Sequence, residues 1–354
     1  MSIPANVRSA LQTGVAIPAH PLALNANLKL DERRQRALAR YYIAAGSGGL
    51  AVGVHTTQFE IHDPEIGLLK PVLQLAKEEM DRADATRSTP LVRISGVCGK
   101  TAQAVKEAQL AADLGYHAGL LSLVALGDQS EDAMIAHCKA VSQALPLVGF
   151  YLQTAANGPV LPYSFWRKFA EIPNVAAIKI APFHRYRTID VVRAVVESGR
   201  EDIALYTGND DTIVSDLITP YRFEVKGKKV ERRIVGGLLG HWSVWNKRGV
   251  ELLQDCHALI KKGGNIPKEM MLRSIEVTDS NAAFFDSANN FQGCIAGLHE
   301  VLRRQGLLDA IRVLNPRERF GNGQLAEIDR VYQAYPHLHD DAFVATHRDE
   351  WLKA

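Results

Sequence analysis

The sequence has few cysteines, no long apolar run and almost no net charge. Its four cysteines lie far apart and none is in a CxxC motif, so neither a disulfide framework nor a zinc cluster is indicated and a reducing compartment is expected. No apolar run approaches the roughly 20 residues that span a bilayer, and the N-terminus lacks the apolar core of a signal peptide. The net charge of +2 argues against nucleic-acid binding. We therefore expect a cytoplasmic protein without nucleic-acid or membrane partners.

Motifs for nucleotides and metals are also missing. The sequence has no GxGxxG, no GxxxxGK[ST] and no HExxH pattern. The densest group of potential ligands, His337–Asp341, lies in a polar tail and is typical of a solvated surface. The sequence therefore predicts no cofactor and no metal.

What is present is a regular alternation of short apolar runs with longer amphipathic stretches. The chain has 354 residues, of which 47% are hydrophobic, which is ample for a large core. The eight apolar runs are Gly14–Pro18, Gly49–Val54, Leu91–Gly96, Ala118–Val124, Leu147–Leu152, Val175–Ala181, Ile203–Thr207 and Ile234–Leu239. Eight strand–helix units predict an α/β fold, a (β/α)8 TIM barrel. The alternative is a doubly wound open sheet, which would require a glycine-rich turn after the first strand that the chain lacks.

The apolar runs stop near residue 245. Four helical patterns follow, over Trp245–Lys262, Ile266–Ser287, Phe291–Gln305 and Leu325–Tyr335. We therefore expect the barrel, with the active site, in residues 1–245 and a C-terminal helical appendage in residues 246–354. The segment between Tyr221 and Ile234 is typical of a small hairpin with a basic surface turn.

The most informative segment is the sixth run, which carries a lysine. Strand alternation puts Ala177, Lys179 and Ala181 on the same face as Val175, and we expect this face to line the barrel interior. A buried amine has a lowered pKa and can attack a carbonyl to form a Schiff base. The alternative is a lysine that snorkels to the rim or pairs with a buried carboxylate.

The fifth run places a tyrosine one strand earlier. We expect Tyr151 to face the interior together with Leu147 and Gly149. A phenol beside Lys179 could move protons to and from a substrate oxygen. The alternative is a packed core tyrosine whose hydroxyl is satisfied.

The second run is followed by His55-Thr56-Thr57. Two threonine hydroxyls and backbone N–H groups at the carboxyl end of a strand would hold a carboxylate, although turn or cap chemistry is the alternative. His55 is a candidate proton carrier or a hydrogen-bonded wall residue.

Taken in order, these segments resemble the dihydrodipicolinate synthase / N-acetylneuraminate lyase family of Schiff-base aldolases. The resemblance extends from about Thr13 to Gly306. The matching segments are Thr13–Pro21, Gly53–Glu60, Phe150-Tyr151, Ala177–Lys179, Leu205–Asp211 and Gly236–Ser243.

The resemblance implies roles for named residues. Lys179 would form the imine and Tyr151 would relay protons. Thr56 and Thr57 would bind carboxylate or pass protons. Gly208, in the turn after the seventh strand, and Leu239, through its backbone, would contact the substrate. The resemblance also implies a homo-oligomer, either a dimer or a tetramer.

The chain departs from the family pattern in three places. In the threonine loop, Gln58 and Phe59 stand in place of glycine and glutamate, and Glu60 comes one position late. Val124-Ala-Leu126 replaces the tyrosine pair after the fourth strand, and Ala156 takes the place of the arginine that binds a second substrate's carboxylate. We therefore expect no dihydrodipicolinate synthase activity.

Three functional hypotheses follow. The first is a lyase, acting as an aldolase or dehydratase, that binds pyruvate or a longer 2-oxo acid through Lys179. The second is a catalytically altered barrel that binds or senses 2-oxo acids. The third is a barrel enzyme without a covalent step, in which His55 is the general base.

Overall fold

The central element of the fold is a barrel of parallel strands. The computed structural model describes residues 2–353. The strands are β1 (Ala16–Pro18), β2 (Gly49–Val52), β3 (Val92–Val97), β4 (Ala118–Leu121), β5 (Leu147–Leu152), β6 (Val175–Ala181), β7 (Ala204–Thr207), β8 (Tyr221–Val225), β9 (Lys228–Arg232) and β10 (Gly236–Leu239). All except β8 and β9 form one eight-stranded sheet, in the order β1-β10-β7-β6-β5-β4-β3-β2. The eight predicted strands are therefore confirmed.

The two ends of this sheet meet. Ala19 forms a parallel bridge with Ala51, and the backbone N–H of His20 donates to the carbonyl of Ala51 at 2.8 Å. These contacts join the chain after β1 to β2 and bring the sheet close to a complete cylinder. The predicted (β/α)8 barrel is confirmed, and the open doubly wound sheet is not formed.

Helices surround the barrel and extend beyond it. They are α1 (Ala5–Thr13), α2 (Glu32–Ala44), α3 (Leu69–Asp84), α4 (Thr101–Asp113), α5 (Glu131–Ala144), α6 (Tyr163–Ala170), α7 (Arg185–Ser198), α8 (Ile213–Ile218), α9 (Asn246–Lys262), α10 (Lys268–Phe284), α11 (Cys294–Arg304), α12 (Gln324–Ala334) and α13 (Asp341–Trp351). Asp31 caps α2, because its carboxylate accepts a hydrogen bond from the N–H of Arg34 at 3.1 Å.

The core has two layers, one inside the cylinder and one between the strands and the helices. On β6, Ala177 and Ala181 belong to the inner layer, whereas Ile178 and Ile180 pack in the outer layer. The predicted faces of β6 are thus confirmed for these residues. Val175 and Ala176 are exceptions: Val175 packs in the outer layer and Ala176 in the inner layer, because the register between β5 and β6 shifts at Leu147/Val148.

The C-terminal helices pack on the barrel. Helix α9 follows β10 and contacts α8 and β1, so the chain just beyond residue 245 lies against the strands. Helix α13 packs on α2, where Trp351 meets the ring of Tyr41. The division into residues 1–245 and 246–354 stays a prediction. Strands β8 and β9 form the expected antiparallel hairpin.

Within residues 2–353, no helix is both long enough and apolar enough to cross a membrane.

Candidate active site

A cavity of about 380 Å³ opens at the carboxyl ends of the barrel strands. Active sites of such barrels lie at this end. Loops after β2, β5, β6, β7 and β10 contribute to its wall, and so do two segments of the C-terminal region. The residues that line the cavity include His55, Thr56, Glu60, Phe150, Ala156, Lys179, Gly208, Asp210, Cys294, Arg317 and Glu318.

Lys179 projects into this cavity from β6. Its side chain is 7% exposed, and Nζ lies 4.7 Å from the centroid of the Phe150 ring. No residue in the described part of the chain accepts a hydrogen bond from Nζ or lies within salt-bridge distance of it. Burial lowers the pKa of Lys179 to about 8, and the charge of Asp210 opposes this shift. About a tenth of the amine is therefore neutral at pH 7, and the neutral fraction grows as the pH rises.

The predicted orientation of Tyr151 is wrong. Tyr151 packs in the outer layer, with its ring against Trp166 of α6, and its hydroxyl accepts a hydrogen bond from the N–H of Leu161 at 3.1 Å. Phe150 faces Lys179 instead, because the two residues are register partners on adjacent strands. The proton relay assigned to Tyr151 therefore has no geometric basis.

The phase of β5 is inverted along its whole length. Val148, Phe150 and Leu152 belong to the inner layer, whereas Leu147 packs outside. A Cβ at Gly149 would meet the ring of Phe169. Both faces of a barrel strand are apolar, so the sequence pattern alone does not fix which face turns inward.

The two threonines have different surroundings. Thr57 uses its hydroxyl to hold the loop, accepting from the N–H groups of Gly53 and Val54 and donating to the carbonyl of His20 at 2.7 Å. Thr56 lines the cavity, and its Oγ1 is buried with no hydrogen-bond partner. Of the pair, Thr56 is therefore the one whose hydroxyl is available to a ligand.

Gly208 and Leu239 also differ. Gly208 lies against the lysine stem, since a Cβ at this position would be 2.5 Å from Lys179 Cε. Leu239 packs its side chain in the outer layer, and its carbonyl accepts from the N–H of Ala19 at 3.2 Å. Gly208 lines the cavity. Beside Leu239, the residue that lines the cavity is its neighbour Gly240.

The turn after β7 holds a buried carboxylate near the lysine. Asp210 is 4% exposed, and its Oδ1 accepts a hydrogen bond from the N–H of His241 at 2.8 Å. Asn209 fixes the turn, because its Oδ1 accepts from the N–H of Phe183 and its Nδ2 donates to Thr188 and Asp216. Burial raises the pKa of Asp210 to about 7, and the charge of Lys179 opposes the shift.

Three further titratable groups face the cavity. Burial and the charge of Lys179 lower the pKa of His55 to about 4, so its imidazole is neutral at pH 7. Glu60 turns inward, and burial, together with the charge of Glu60, raises the pKa of Glu318 to about 7. The proton-carrier role of His55 stays a prediction.

The segment that carries Glu318 forms a roof over the cavity. Arg317 and Glu318 both line it, and Gln58 in the threonine loop accepts a hydrogen bond from the N–H of Leu314 at 2.6 Å. Sequence reasoning missed this roof because residues 314–318 carry no periodic pattern and meet the loop only through tertiary contacts. Asp210 was not among the candidate site residues either, although an acidic residue after a barrel strand was a usable signal.

Comparison with known proteins identifies the family. A model of the dihydrodipicolinate synthetase family matches residues 14–219, which is more than half of the chain. The chain belongs to the dihydrodipicolinate synthetase family. The expected family resemblance is therefore confirmed.

Relatives within the dihydrodipicolinate synthetase family are distant. A 4-hydroxy-tetrahydrodipicolinate synthase from Bifidobacterium longum is 25% identical over 201 residues, which are 56% of this chain and 60% of that relative. The chain thus spans less than two thirds of the length of the curated relative it matches.

Solved structures share the family's fold. Dihydrodipicolinate synthase from Bacteroides thetaiotaomicron has a TM-score of 0.68 at 18% identity, covering 94% of this chain and 100% of its own. N-acetylneuraminate lyase from Fusobacterium nucleatum has a TM-score of 0.68 at 14% identity, covering 92% and 99% of the two chains. Since the curated relatives are synthases, an enzymatic role is supported at the level of the dihydrodipicolinate synthetase family.

Proposed function

We propose that the protein is a Schiff-base-forming lyase, an aldolase or dehydratase, that binds pyruvate or a longer 2-oxo acid through Lys179. The observation that carries this proposal is a buried amine without a carboxylate in contact, at the wall of a cavity at the carboxyl end of the barrel. A neutral amine adds to the C2 carbonyl, and the resulting iminium draws electrons from the bond that breaks. Thr56 offers the unpartnered hydroxyl that a substrate carboxylate would use.

Two features restrict the substrate. Ala156, and no arginine, lines the cavity in the loop after β5, so we do not propose 4-hydroxy-tetrahydrodipicolinate synthase activity. The cavity wall also carries Glu60, in the loop after β2, and Glu318, in the roof beside Arg317. The two glutamates would repel a second carboxylate on the substrate. A 2-oxo acid with hydroxyl groups at its distal end suits this wall better, because hydroxyls donate to carboxylate oxygens.

The test of the proposal is reductive trapping. The protein is incubated with pyruvate and borohydride, and its intact mass is measured. We expect one reduced pyruvyl group, located at Lys179 by peptide mapping, and none in Lys179→Ala. Lys139→Ala, at an exposed site on α5, is the matched control and should trap like wild type. An unmodified wild-type mass would rule the proposal out.

A second function is favoured by one observation. Phe150 occupies the position facing Lys179 where we expected a phenol, which is compatible with a barrel that binds 2-oxo acids without turning them over. Such a protein would show ligand-induced shifts of its melting temperature but no product from any 2-oxo acid. Turnover that disappears in Lys179→Ala would exclude this alternative.

The oligomeric state and the location belong to the proposal as well. We propose a homo-oligomer, a dimer or a tetramer, in the cytoplasm. Light scattering after size exclusion measures the mass directly, and a monomer at micromolar concentration would contradict the oligomer.

A further inference from the structure

Imine chemistry needs a group that gives up and recovers protons beside the lysine, and the expected phenol is absent. Phe150 has no ionisable group, and the Tyr151 hydroxyl lies outside the barrel interior, bonded to Leu161. The proton carrier must therefore come from the other titratable side chains that line the cavity. Within the described chain these are His55, Glu60, Asp210, Cys294, Arg317 and Glu318.

Asp210 lies in the turn that follows β7, the strand next to the one that carries the lysine. Strand β7 pairs with β6, and Lys179 is the register partner of Tyr206. Two residues beyond Tyr206, Gly208 touches the lysine stem, and Asp210 follows in the same turn. The loop therefore brings its carboxylate into the part of the cavity that holds the amine.

The carboxylate of Asp210 is held at one oxygen and free at the other. Oδ1 accepts from the N–H of His241 at 2.8 Å, whereas Oδ2 has no hydrogen-bond partner in the described part of the chain. Oδ2 is also not among the fully enclosed polar atoms, so it is open to the cavity. One oxygen thus fixes the orientation and the other can exchange a proton.

His55, Glu318 and Thr56 fit this role less well. His55 is such a weak base in this surrounding that its imidazolium would be scarce at neutral pH. Glu318 interacts with the charge of Glu60, whereas the charges of Asp210 and Lys179 act on each other directly. The hydroxyl of Thr56 does not ionise near neutral pH.

We propose that Asp210, through Oδ2, is the catalytic acid and base of the imine chemistry at Lys179, a role that rests on the proposed function. The neutral amine first adds to C2 of pyruvate, and the amine proton passes to the oxygen to give a neutral carbinolamine. Protonated Asp210 donates its proton to the hydroxyl, which leaves as water while the nitrogen lone pair forms the iminium double bond. Asp210 is then a carboxylate.

Asp210 then acts as the base that converts the iminium to the enamine. The Asp210 carboxylate removes a proton from C3, the C–H electrons form the C2–C3 double bond, and the iminium electrons return to nitrogen. A neutral enamine results, and Asp210 is protonated again. Asp210 loses one proton to the departing water and regains one from C3, so its protonation state is restored and no other reactant is required.

The experiment measures imine formation and proton transfer separately. Borohydride trapping after long incubation reports whether the imine forms at equilibrium. Proton NMR of pyruvate in D2O reports how fast the methyl group exchanges through the enamine. The variants are Asp210→Asn, Asp211→Asn as the matched control, and His55→Gln as the competing candidate. The amide introduced by Asp210→Asn keeps an oxygen that can accept from the N–H of His241.

We expect Asp210→Asn to trap as much pyruvate as wild type but to exchange its methyl protons about 100-fold more slowly or worse. Losing the Asp210 charge lowers the pKa of Lys179 further, so trapping does not fail for want of neutral amine. Asp211→Asn should exchange at the wild-type rate, and His55→Gln, which changes a group in the cavity wall, should slow exchange far less than Asp210→Asn does. Wild-type exchange in Asp210→Asn, or loss of exchange only in His55→Gln, would overturn the proposal.

The pH profile of exchange, compared between wild type and Asp210→Asn, is a second measurement. The charged or titratable groups around Asp210 are Lys179 on β6, the adjacent Asp211 and Cys294 on α11. At saturating pyruvate Lys179 is already bound as the imine, so its own titration no longer contributes. An exchange rate that rises with pH under these conditions, and whose rising limb is missing in Asp210→Asn, supports the assignment. A wild-type profile without that limb contradicts it. If wild type traps no pyruvate at all, the proposed function itself fails and this role with it.

Discussion

At the scale of single residues, the lysine has room because position 208 is a glycine. The backbone of Gly208 lies so close to Lys179 that any side chain would collide with its stem. The glycine N–H also donates to the carbonyl of Ile180 at 2.7 Å, which holds the turn against β6. The position of the amine therefore depends on a missing side chain on the neighbouring strand.

We expect Gly208→Ala to slow pyruvate trapping at least 10-fold. The new Cβ would lie 2.5 Å from Lys179 Cε and 2.8 Å from Ala181 Cβ, and only the lysine can move away. Overpacking of this kind costs about 1–3 kcal/mol of stability, so the fold should persist. Gly127→Ala, whose nearest contact is 3.6 Å, is the control. Equal trapping rates in both variants would contradict the expectation.

At the scale of elements, the sequence predicts where the strands lie, but it does not always predict which face of a strand points into the barrel. The face of β6 was predictable because a lysine between two isoleucines distinguishes its sides. In β5, both sides carry apolar residues, and only the pairing of Phe150 with Lys179 selects the inner face. The register shift at Leu147/Val148 comes from the sheet as a whole, so no local pattern contains it.

Helix α11 shows another limit of local patterns. It is buried on every side, and its residues Cys294–Leu302 are all inaccessible. His299 sits in this helix at 1% exposure, with no hydrogen-bond partner at either ring nitrogen. Burial lowers the pKa of His299 to about 4. The imidazole is therefore neutral and unsatisfied in the folded protein.

We expect His299→Leu to stabilise the protein, and more so in acid. The unfolded imidazole binds protons below pH 6.5 while the folded one does not until about pH 4, so stability is lost as pH falls through this window. The gain from the substitution should therefore grow by about 2 kcal/mol between pH 7 and pH 5. Urea unfolding at both values measures it. His337→Leu, at a half-exposed site, should lack this growth, and a pH-independent gain in His299→Leu would contradict the pKa.

At the scale of the whole molecule, one carboxylate joins distant parts of the chain. Asp340 is 3% exposed and accepts from the Tyr41 hydroxyl at 2.7 Å, the Lys247 N–H at 2.9 Å and the Gln305 side chain at 2.8 Å. These donors belong to α2, α9 and the end of α11. The C-terminal tail is thereby connected to α2 and α9, which both contact strands of the barrel.

We expect Asp340→Ala to lower the free energy of unfolding by about 3 kcal/mol, because two buried donors and one half-buried donor lose their acceptor. Chemical denaturation monitored by tryptophan fluorescence measures the change. Asp349→Ala removes a carboxylate at 83% exposure and should change stability by less than about 0.5 kcal/mol. Similar midpoints for the two variants would show that Asp340 does not hold the tail.

The roof over the cavity has a consequence for how such barrels diversify. Arg317 and Glu318 lie beyond the stretch, residues 14–219, that carries the family signature, whereas Lys179 lies within it. The part of the chain that carries the reactive lysine is thus separate from a part that would contact the rest of the substrate. Replacement of residues 314–318 would therefore change which substrates bind and leave Lys179 and its surroundings on the strands unchanged.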